Sequence, residues 1–478
     1  MPMSRSLAAE LRALLGPAGV IDEPTRLLPY ESDGLAMLAV KPELVVLPRD
    51  TRETAAAMRL LAERGIPIVP RGAGTGLAGG ATPVAGGAVL STARMRDVLE
   101  LNTRERFARV QAGVVNVDLT SLCQHEDLAY APDPSSQMAC TIGGNVANNS
   151  GGPHCFKYGA TTRHVLGLVV VLQDGSVLDL AEPVLDPLGY DLVGLFVGSE
   201  GTLGIATEVT VRLLPAPAAI EVLLALFRSL DDACEAVSDI IAAGCEPAAL
   251  EILDQLTIDA VERSVFAAGY PREAGAVLLV ELDGAEADVA AQASAVLLLL
   301  ARHAPIEVRR ARDPAARKKL WAGRKGAFGA MGRVAPDLYV ADAVVPRTHL
   351  RALVARTVAI CRERNLRLAT VFHAGDGNLH PNICYDRRDK DEVRRVLEAG
   401  HLILSECVAA GGALTGEHGI GLEKLAEMEL YFSREDLAAA GRMRDAWDPA
   451  RRMNPGKLLP SHACREARTA PLGQGGGA

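Results

Sequence analysis

Aromatic residues are scarce in this sequence, so smaller side chains must build its hydrophobic core. Phe, Trp and Tyr make up 4% of the 478 residues, although hydrophobic residues together make up 49%. We therefore expect Ala, Leu and Val to fill the interior. The apolar content excludes an intrinsically disordered chain, and the length predicts two or three domains.

Positive charge is also in deficit, which bears on the class of partner. The chain has 50 Lys and Arg residues against 59 Asp and Glu residues, and its formal net charge is −9 at pH 7. Proteins that bind nucleic acid need a basic surface to neutralise phosphates. The composition therefore argues against nucleic acid as a partner.

The sequence has no C-x-x-C motif, which argues against a thioredoxin-like redox pair and a ferredoxin-type iron–sulfur cluster. An odd number of cysteines fits reduced thiols, which are typical of a cytoplasmic protein. The nine cysteines are Cys123, Cys140, Cys155, Cys234, Cys245, Cys361, Cys384, Cys407 and Cys464.

Hydrophobic runs long enough to cross a membrane are absent as well. The most apolar stretches are Val165–Leu172 and Ala295–Ala301, and both are far shorter than the roughly 20 residues that a spanning helix needs. Leucines between Leu7 and Leu15 have helical spacing but are interrupted by charges, which predicts a surface helix and not a signal peptide. We expect a cytoplasmic protein without a membrane span.

Residues 1–217 alternate short strands and helices, with glycine-rich stretches between them. This order predicts a β-α-β unit followed by a second lobe built around one apolar strand. The predicted strands are Glu43–Pro48, Ile66–Val69, Ala88–Ser91, Arg109–Ala112 and Val165–Leu172, the helices are Thr51–Arg64 and Val117–His125, and Thr141–Gly152 is a predicted loop.

Residues 218–413 alternate strands with longer helices, such as Leu230–Ala243 and Ala285–His303. This pattern predicts a separate domain, and the whole chain is expected to have an α+β fold. Residues 414–461 are short and rich in motifs, so we expect them to return to the first domain. Residues 462–478 end in GQGGGA and are predicted to be disordered.

The first glycine-rich stretch contains a familiar spacing. Gly74, Gly76 and Gly79 match G-x-G-x-x-G, which opens the helix of a dinucleotide-binding βαβ unit. Gly80 and Pro83 follow at once, so no helix can begin there, and we reject that unit. Two alternatives stay open: a loop whose backbone N–H groups line a surface for a pyrophosphate, or an ordinary flexible turn.

Two further glycine-rich segments favour the binding surface. One reads Thr141-Ile-Gly-Gly-Asn-Val-Ala-Asn-Asn-Ser-Gly-Gly and the other Val197-Gly-Ser-Glu-Gly-Thr-Leu-Gly-Ile. Glycines used merely to join strands would be an unusual choice here. Three such segments in one domain predict a large anionic ligand.

A pair of histidines flanks the turn Ala374-Gly-Asp-Gly between two predicted strands. The hairpin would bring His373 and His380 close enough to share one cation, with Asn382 on the same face as His380. Histidines that serve only the hairpin's own hydrogen bonds are the open alternative. Glu417 and His418, set among glycines, offer a third ligand, and their alternative is a solvated turn before a predicted helix at 422–431.

The three glycine-rich segments resemble, in sequence and order, the FAD-binding domain of the vanillyl-alcohol-oxidase family. That resemblance implies a two-lobed FAD domain capped by an α+β substrate domain with an antiparallel sheet and helices. It also implies non-covalent FAD, because residues 71–80 lack the histidine that some relatives attach to the flavin. The implied cofactor residues are Pro70, Arg71, Gly72, Ala73, Gly74, Thr75, Gly76, Leu77, Gly80, Ala81, Pro132, Thr141, Gly143, Gly144, Asn145, Asn148, Ser150, Gly151, Tyr158, Glu200, Gly201, Gly204, Ile205 and Asn454.

The segments H-A-G-D-G-N-L-H-P-N and G-E-H-G-I-G, with W-A-G-R-K and N-P-G-K, resemble the D-2-hydroxy-acid dehydrogenase branch of that family. The resemblance implies a divalent metal, zinc or manganese. It implies that the metal ligands are His373, His380 and Glu417, that the catalytic base is His418, and that substrate is bound by Arg324, Asn382 and His380. The alternative for Arg324 is a surface arginine beside Lys318 and Lys319.

The substrate predicted by this resemblance is a small 2-hydroxy acid such as glycolate or D-lactate. By this resemblance, Phe328 and Val340 stand where relatives acting on 2-hydroxyglutarate have polar residues. Two alternatives are a dehydrogenase for a longer acid such as D-2-hydroxyglutarate and a non-catalytic, flavin-carrying electron-relay subunit. The resemblance further implies a second flavoprotein subunit and an iron–sulfur subunit as electron acceptors, with membrane association only through them. A homodimer is another open alternative.

Overall fold

The structure is a computed structural model that describes residues 5–180 and 189–460. The predicted disordered tail lies outside the described residues. Helices and mostly antiparallel sheets combine in an α+β fold, which confirms the predicted class. No helix in the described part of the chain is long and apolar enough to cross a membrane.

The N-terminal part forms a four-stranded sheet. Its strands are β1 (Val20–Ile21), β2 (Leu44–Val46), β3 (Ile68–Arg71) and β4 (Ala88–Ser91), and its helices are α1 (Arg5–Leu15), α2 (Pro24–Leu27) and α3 (Thr51–Glu63). The strand order is β1-β2-β4-β3, and β4 pairs in parallel with both β2 and β3. Residues 72–87 after β3 form turns and bends without a helix, as their glycines and Pro83 predicted.

The second part is a five-stranded antiparallel sheet in the order β5-β6-β10-β8-β9, beside a two-stranded pair of β7 and β11. The strands are β5 (Val98–Asn102), β6 (Phe107–Gln111), β7 (Leu128–Ala129), β8 (Val165–Val171), β9 (Val177–Leu180), β10 (Ile205–Arg212) and β11 (Leu214–Pro215). The helices are α4 (Asn116–Gln124), α5 (Ile142–Asn148), α6 (Cys155–Tyr158) and α7 (Leu192–Phe196).

Helix α5 corrects the sequence analysis, which predicted only a loop over 141–152. Thr141 caps the helix, because its hydroxyl accepts the backbone N–H of Gly144 at 3.3 Å. Asn149 ends it in the left-handed region at φ 49°. Ile142 and Val146 are fully buried, so packing overrides the low helix propensity of the two glycines.

The third part is a sheet of nine strands with helices on both faces. Its strands are β12 (Ala219–Phe227), β13 (Ala249–Asp254), β14 (Ala276–Gly284), β15 (Glu307–Ala311), β16 (Asp337–Val340), β17 (Ala343–Val344), β18 (Arg367–His373), β19 (Asn378–Leu379) and β20 (Pro381–Tyr385). Its helices are α8 (Leu230–Ala242), α9 (Gln255–Glu262), α10 (Glu286–Arg302), α11 (Pro314–Ala330), α12 (Leu350–Glu363) and α13 (Lys390–Ala409).

Alternation along the strands assigns the two faces of this sheet. Leu223 and Ala225 of β12 pack with α8 and α10, whereas Leu224 and Leu226 pack with α9 and α11. The sheet is therefore buried on both sides, which explains its nearly continuous apolar strands. A charged residue inside such a strand must be paired with another group.

Residues after 413 contact the first sheet and the first glycine-rich segment. Met453 forms a parallel bridge with Ile68, and the Leu422 N–H donates to the carbonyl of Ala78 at 2.8 Å. This contact replaces helical hydrogen bonding, so the helix predicted over 422–431 is wrong in its first part. The helices of this C-terminal segment are α14 (Met428–Tyr431) and α15 (Arg434–Trp447). Elsewhere in the chain, short 3-10 helices lie at Pro17–Gly19, Leu28–Tyr30, Thr161–Arg163, Met331–Arg333 and Arg347–His349.

Candidate functional site

The three glycine-rich segments line one cavity of about 390 Å³. Twenty of the predicted cofactor residues lie on its wall: Pro70, Arg71, Gly72, Ala73, Gly74, Thr75, Gly76, Leu77, Gly80, Ala81, Thr141, Gly143, Gly144, Asn145, Asn148, Ser150, Glu200, Gly201, Gly204 and Ile205. The cavity also reaches Glu417 and His418. The glycine loops and the predicted base therefore share one cavity.

Four predicted cofactor residues are not among those lining the cavity. The Pro132 carbonyl accepts a hydrogen bond from Asn116 at 3.0 Å, and the Tyr158 hydroxyl donates to Asp283 at 2.6 Å. Gly151 lies against Glu417, where a Cβ would be 2.9 Å from the Oε2 atom. Pro132, Tyr158 and Gly151 therefore contact other residues of the chain and do not line the cavity.

Asn454, the fourth of these, joins two of the glycine-rich segments. Its amide donates to the Gly80 carbonyl at 2.9 Å and to the Glu200 carbonyl at 2.7 Å. The Glu200 carboxylate in turn accepts the backbone N–H groups of Ile420 and Gly421, each at 2.7 Å. The C-terminal segment thus ties the cavity wall to the loop that carries Glu417 and His418.

The hairpin brings the two predicted metal-binding histidines together, although the strand opposite β18 is broken at His380 into β19 and β20. The backbone register pairs His373 with Asn378, and the rings of His373 and His380 are 5.1 Å apart, edge to face. Glu417 completes the group, with its Oε1 atom 3.5 Å from His373 Nε2 and 3.2 Å from His380 Nε2. His418 stacks on His380 at 5.1 Å.

A buried carboxylate that the sequence analysis missed organises the loop of Glu417. Asp342 Oδ2 accepts the hydroxyl of Thr415 and the backbone N–H groups of Gly416 and His418, the latter two at 3.0 and 3.1 Å. The buried Lys424 ammonium donates to the same oxygen at 3.2 Å. Asp342 therefore fixes the backbone from which Glu417 and His418 project.

Arg324 is almost fully buried at 1% exposure, which excludes the surface alternative. Its Nε donates to Glu251 Oε2 at 2.5 Å, and Glu251 Oε1 bonds His373 Nδ1 at 2.7 Å. Asn382 is also buried, and its amide donates to the His380 carbonyl at 2.8 Å. The predicted substrate residues therefore adjoin the histidine cluster, although none of the three lines the cavity.

Two of the three histidines next to Glu417, His373 and His418, differ in charge. Burial lowers the pKa of His418 to about 4, and the attraction of Asp342 offsets this effect only in part. Burial also disfavours the His373 cation, but the carboxylates of Glu251 and Glu417 raise its pKa to about 10. His418 is consequently neutral near pH 7 and able to accept a proton.

Several buried polar atoms of the cluster have no hydrogen-bond partner among the described residues. They are His373 Nε2, both ring nitrogens of His380, Glu417 Oε2, His418 Nδ1 and Asp342 Oδ1. Such orphaned atoms are rare in a folded interior unless a ligand occupies the site. Two imidazoles and a carboxylate form a donor set that suits zinc or manganese, so the residues fit a divalent cation.

A second group of possible ligands, Asp342, His380 and His418, overlaps the first. The Lys424 ammonium lies 3.2 Å from Asp342 and would repel a cation bound there. The group of His373, His380 and Glu417 is therefore the better metal site. The signal for Asp342 and Glu251 in the sequence was a lone carboxylate inside an apolar stretch of residues, because such a charge must be paired.

The cavity wall includes further residues that the sequence analysis did not assign to the cofactor. Lys325 and Phe328 of α11 lie there, as do Glu417 and His418, so the wall that carries the predicted base also carries a cation and an aromatic ring. Val340 is buried on β16, opposite Asn382. The other additional wall residues are Asp33, Thr92, Pro134, Ser135, Ser136, Cys140, Ala147, Phe196 and Ala206.

Comparison with known proteins assigns the family. Residues 42–181 match the FAD binding domain family, and residues 216–458 match the C-terminal domain of FAD linked oxidases. The glycolate oxidase subunit GlcD of Escherichia coli strain K12 is 45% identical over 94% of this chain and 90% of that protein. A D-lactate dehydrogenase of Anaerostipes hadrus is 33% identical over 87% and 90% of the two chains.

A solved structure of p-cresol methylhydroxylase superposes with a TM-score of 0.78 at 16% identity, covering 95% of this chain and 96% of that one. At that identity the likeness concerns the fold alone. The family matches also establish that the chain has an FAD-binding domain. The chain therefore belongs to the FAD-linked oxidases of the vanillyl-alcohol-oxidase family, in the branch of glycolate oxidase subunits and D-lactate dehydrogenases.

Proposed function

We propose that this chain oxidises a small 2-hydroxy acid, glycolate or D-lactate, to the 2-oxo acid with non-covalently bound FAD. One observation carries the proposal: the cavity lined by the glycine-rich segments reaches Glu417 and His418. A cofactor on those segments and a substrate beside the histidine cluster would share one cavity, as hydride transfer requires. The names of the two relatives support the same substrate class.

The proposed chemistry divides the reaction between a base and two bound groups. When bound, FAD would supply a hydride acceptor for the substrate Cα–H, and a divalent cation would supply a Lewis acid for the substrate hydroxyl. His373, His380 and Glu417 are proposed to hold the cation. His418 is proposed to accept the hydroxyl proton, because its imidazole is neutral and lies on the cavity wall.

Substrate orientation falls to groups around the cluster. Arg324 is proposed to bind the substrate carboxylate with the guanidinium N–H groups that Glu251 does not use. Asn382 and His380 are proposed to contact the substrate as well, and the buried Asn382 Oδ1 atom has no hydrogen-bond partner among the residues that the structure describes. Phe328 lies on the cavity wall and is proposed to limit the length of the acid.

The electron acceptors belong to the same proposal. The relative from Escherichia coli is named as a subunit, and we propose that this chain passes electrons to a second flavoprotein and an iron–sulfur protein. Location in the cytoplasm, with membrane association only through those partners, and a homodimeric state are further proposals. Gel filtration with light scattering, alone and with candidate partners, measures the assembly directly.

The test is anaerobic reduction of the bound flavin, followed by its absorbance. Glycolate, D-lactate, L-lactate or D-2-hydroxyglutarate is added to the purified, FAD-loaded chain, before and after treatment with a chelator. We expect rapid bleaching by glycolate or D-lactate, loss of bleaching after chelation, and its return with zinc or manganese.

Other outcomes separate the alternatives. Faster bleaching by D-2-hydroxyglutarate would favour a dehydrogenase for longer acids. Stoichiometric FAD that no hydroxy acid bleaches, with metal present, would contradict the proposed oxidation and favour an electron-relay subunit. Flavin bleaching that persists after complete removal of metal would contradict only the proposed role of the cation, and not the oxidation itself.

A further inference from the structure

Glu251 lies at the centre of the large sheet, where a charge has no access to water. It is on β13, its exposed fraction is 0%, and the backbone register places it directly opposite His373 of β18. Its neighbours Ala249 and Leu253 pack on the face covered by α9 and α11. Alternation therefore directs the carboxylate towards Arg324 of α11.

The two oxygens of Glu251 serve different partners. Oε2 accepts from Arg324 Nε at 2.5 Å, and Oε1 lies 2.7 Å from His373 Nδ1. A carboxylate only accepts hydrogen bonds, so His373 Nδ1 carries the proton in this contact. His373 Nε2 is then the ring nitrogen at which a cation would take the place of a proton, and it lies 3.5 Å from Glu417 Oε1.

We propose that Glu251 is a positioning residue that couples metal binding by His373 to substrate binding by Arg324. This inference rests on the proposed function. A carboxylate behind a ligating histidine fixes the tautomer and the direction of the ring. The same carboxylate orients the Arg324 guanidinium, so one buried charge sets the geometry of both contacts.

A purely structural role predicts something different. The ion pair with Arg324 alone would compensate the buried charge of Glu251, and removing it would alter stability without a specific effect on metal affinity. The hydrogen bond to His373 is the observation that distinguishes the two roles, because it connects Glu251 to a proposed metal ligand.

The decisive variant is Glu251→Gln, whose side chain has almost the same shape but only one acceptor oxygen. We expect the affinity for zinc, measured by competition with a chromophoric chelator on the FAD-loaded chain, to fall roughly 10-fold to 100-fold. Saturating metal should restore kcat, whereas the KM for the hydroxy acid should stay elevated because Arg324 has lost the negative charge of its partner. FAD content should equal that of the wild-type chain.

Glu281→Gln is the matched control. Glu281 lies on the adjacent strand β14, is also buried, and bonds His154 at 2.9 Å and the Trp321 indole at 2.5 Å. Glu281 has no hydrogen bond to His373 or Arg324 among the described residues, so the Glu281→Gln variant should bind zinc with the affinity of the wild-type chain. If Glu251→Gln does not fold, Glu251→Asp, which keeps the charge but is one methylene shorter, should still bind zinc several-fold more weakly.

Wild-type zinc affinity and KM in a folded Glu251 variant would overturn the proposal, and so would an equal loss in Glu281→Gln. These results concern Glu251 alone, because the wild-type chain reports separately on the proposed function. A wild-type chain that binds no metal would overturn both the metal-assisted reaction and the role of Glu251.

Discussion

His418 is a neutral imidazole on the wall of a cavity that also reaches the glycine loops. Its backbone is fixed by Asp342 and its ring stacks on His380, so it is presented in one orientation. This arrangement suits a base that accepts the hydroxyl proton of a substrate, because a positioned and unprotonated nitrogen is what proton abstraction requires.

Replacing that base tests its role. His418→Gln should lower the rate of anaerobic flavin reduction by glycolate or D-lactate roughly 10²-fold to 10⁴-fold, the usual contribution of a general base. FAD content, read from the absorbance of the purified protein, should not change. A variant that keeps the wild-type reduction rate would assign proton abstraction to another group.

Phe328 is a second single residue with a testable role, because it is proposed to limit the length of the substrate. The ring lies on the cavity wall with Glu417 and His418. Phe328→Ala should raise kcat/KM for D-2-hydroxyglutarate relative to glycolate by roughly 10-fold, because the rejection of larger acids by a filled pocket is of this order. Phe266→Ala is the control, since Phe266 packs against Gly326 of the same helix without lining the cavity; an equal change there would contradict the prediction.

At the scale of elements, the loop between Thr415 and Leu422 is held against the first glycine-rich segment. Gly421 has a φ of +52°, and a Cβ at this position would lie 2.0 Å from the carbonyl oxygen of Ala78. The contact involves backbone on both sides, so neither side can turn away. The loop and the cavity wall must therefore move apart if any side chain is added.

Gly421→Ala should consequently lower FAD occupancy and slow flavin reduction, because it displaces Glu417 and His418 from the cavity. The matched control is Gly86→Ala: its φ of +70° imposes similar backbone strain, about 1 kcal/mol, but nothing lies within 4 Å of the added Cβ. Measurement of FAD content and reduction rate in both variants separates the clash from the strain. Equal effects would show that strain alone is responsible.

At the scale of the molecule, His154 joins the large sheet to the part of the fold that contains the second sheet. This residue precedes α6, and its ring nitrogens bond Asp133 at 2.8 Å and Glu281 of β14 at 2.9 Å. Burial disfavours the imidazolium, but the two carboxylates outweigh it and raise the pKa of His154 well above its usual value. The charged form is therefore the one that stabilises the contact.

The pH dependence follows from the direction of that shift. A raised pKa in the folded state gives stabilisation that is complete below the unfolded value of about 6.5 and is lost as the pH rises through the folded value. His154→Gln should therefore destabilise the chain most below about pH 6.5, by about 2 kcal/mol, and progressively less at alkaline pH. Thermal unfolding across this range measures the difference, with the exposed His125→Gln as control; a pH-independent difference would contradict the prediction.

Much of the fold followed from local signals in the sequence. The apolar strand at 165–171 and the helices after Asp50 and Ser229 have their predicted places, because alternation and capping act over a few residues. The position of Glu417 and His418 among glycines likewise indicated a functional site. These features depend on neighbours along the chain, which the sequence contains directly.

Tertiary structure decided the features that depend on distant residues. Local signals predicted a loop where α5 lies, because helix propensity does not include the packing of Ile142 and Val146. They gave no indication of the roles of Glu251, whose partner His373 is 122 residues away, and Asp342, whose partner Thr415 is 73 residues away. The sequence by itself determined which chemical groups are present and in which local turns, whereas the packing of strands and helices alone decided which buried carboxylate faces which histidine, since that pairing depends on the register of strands far apart in the chain.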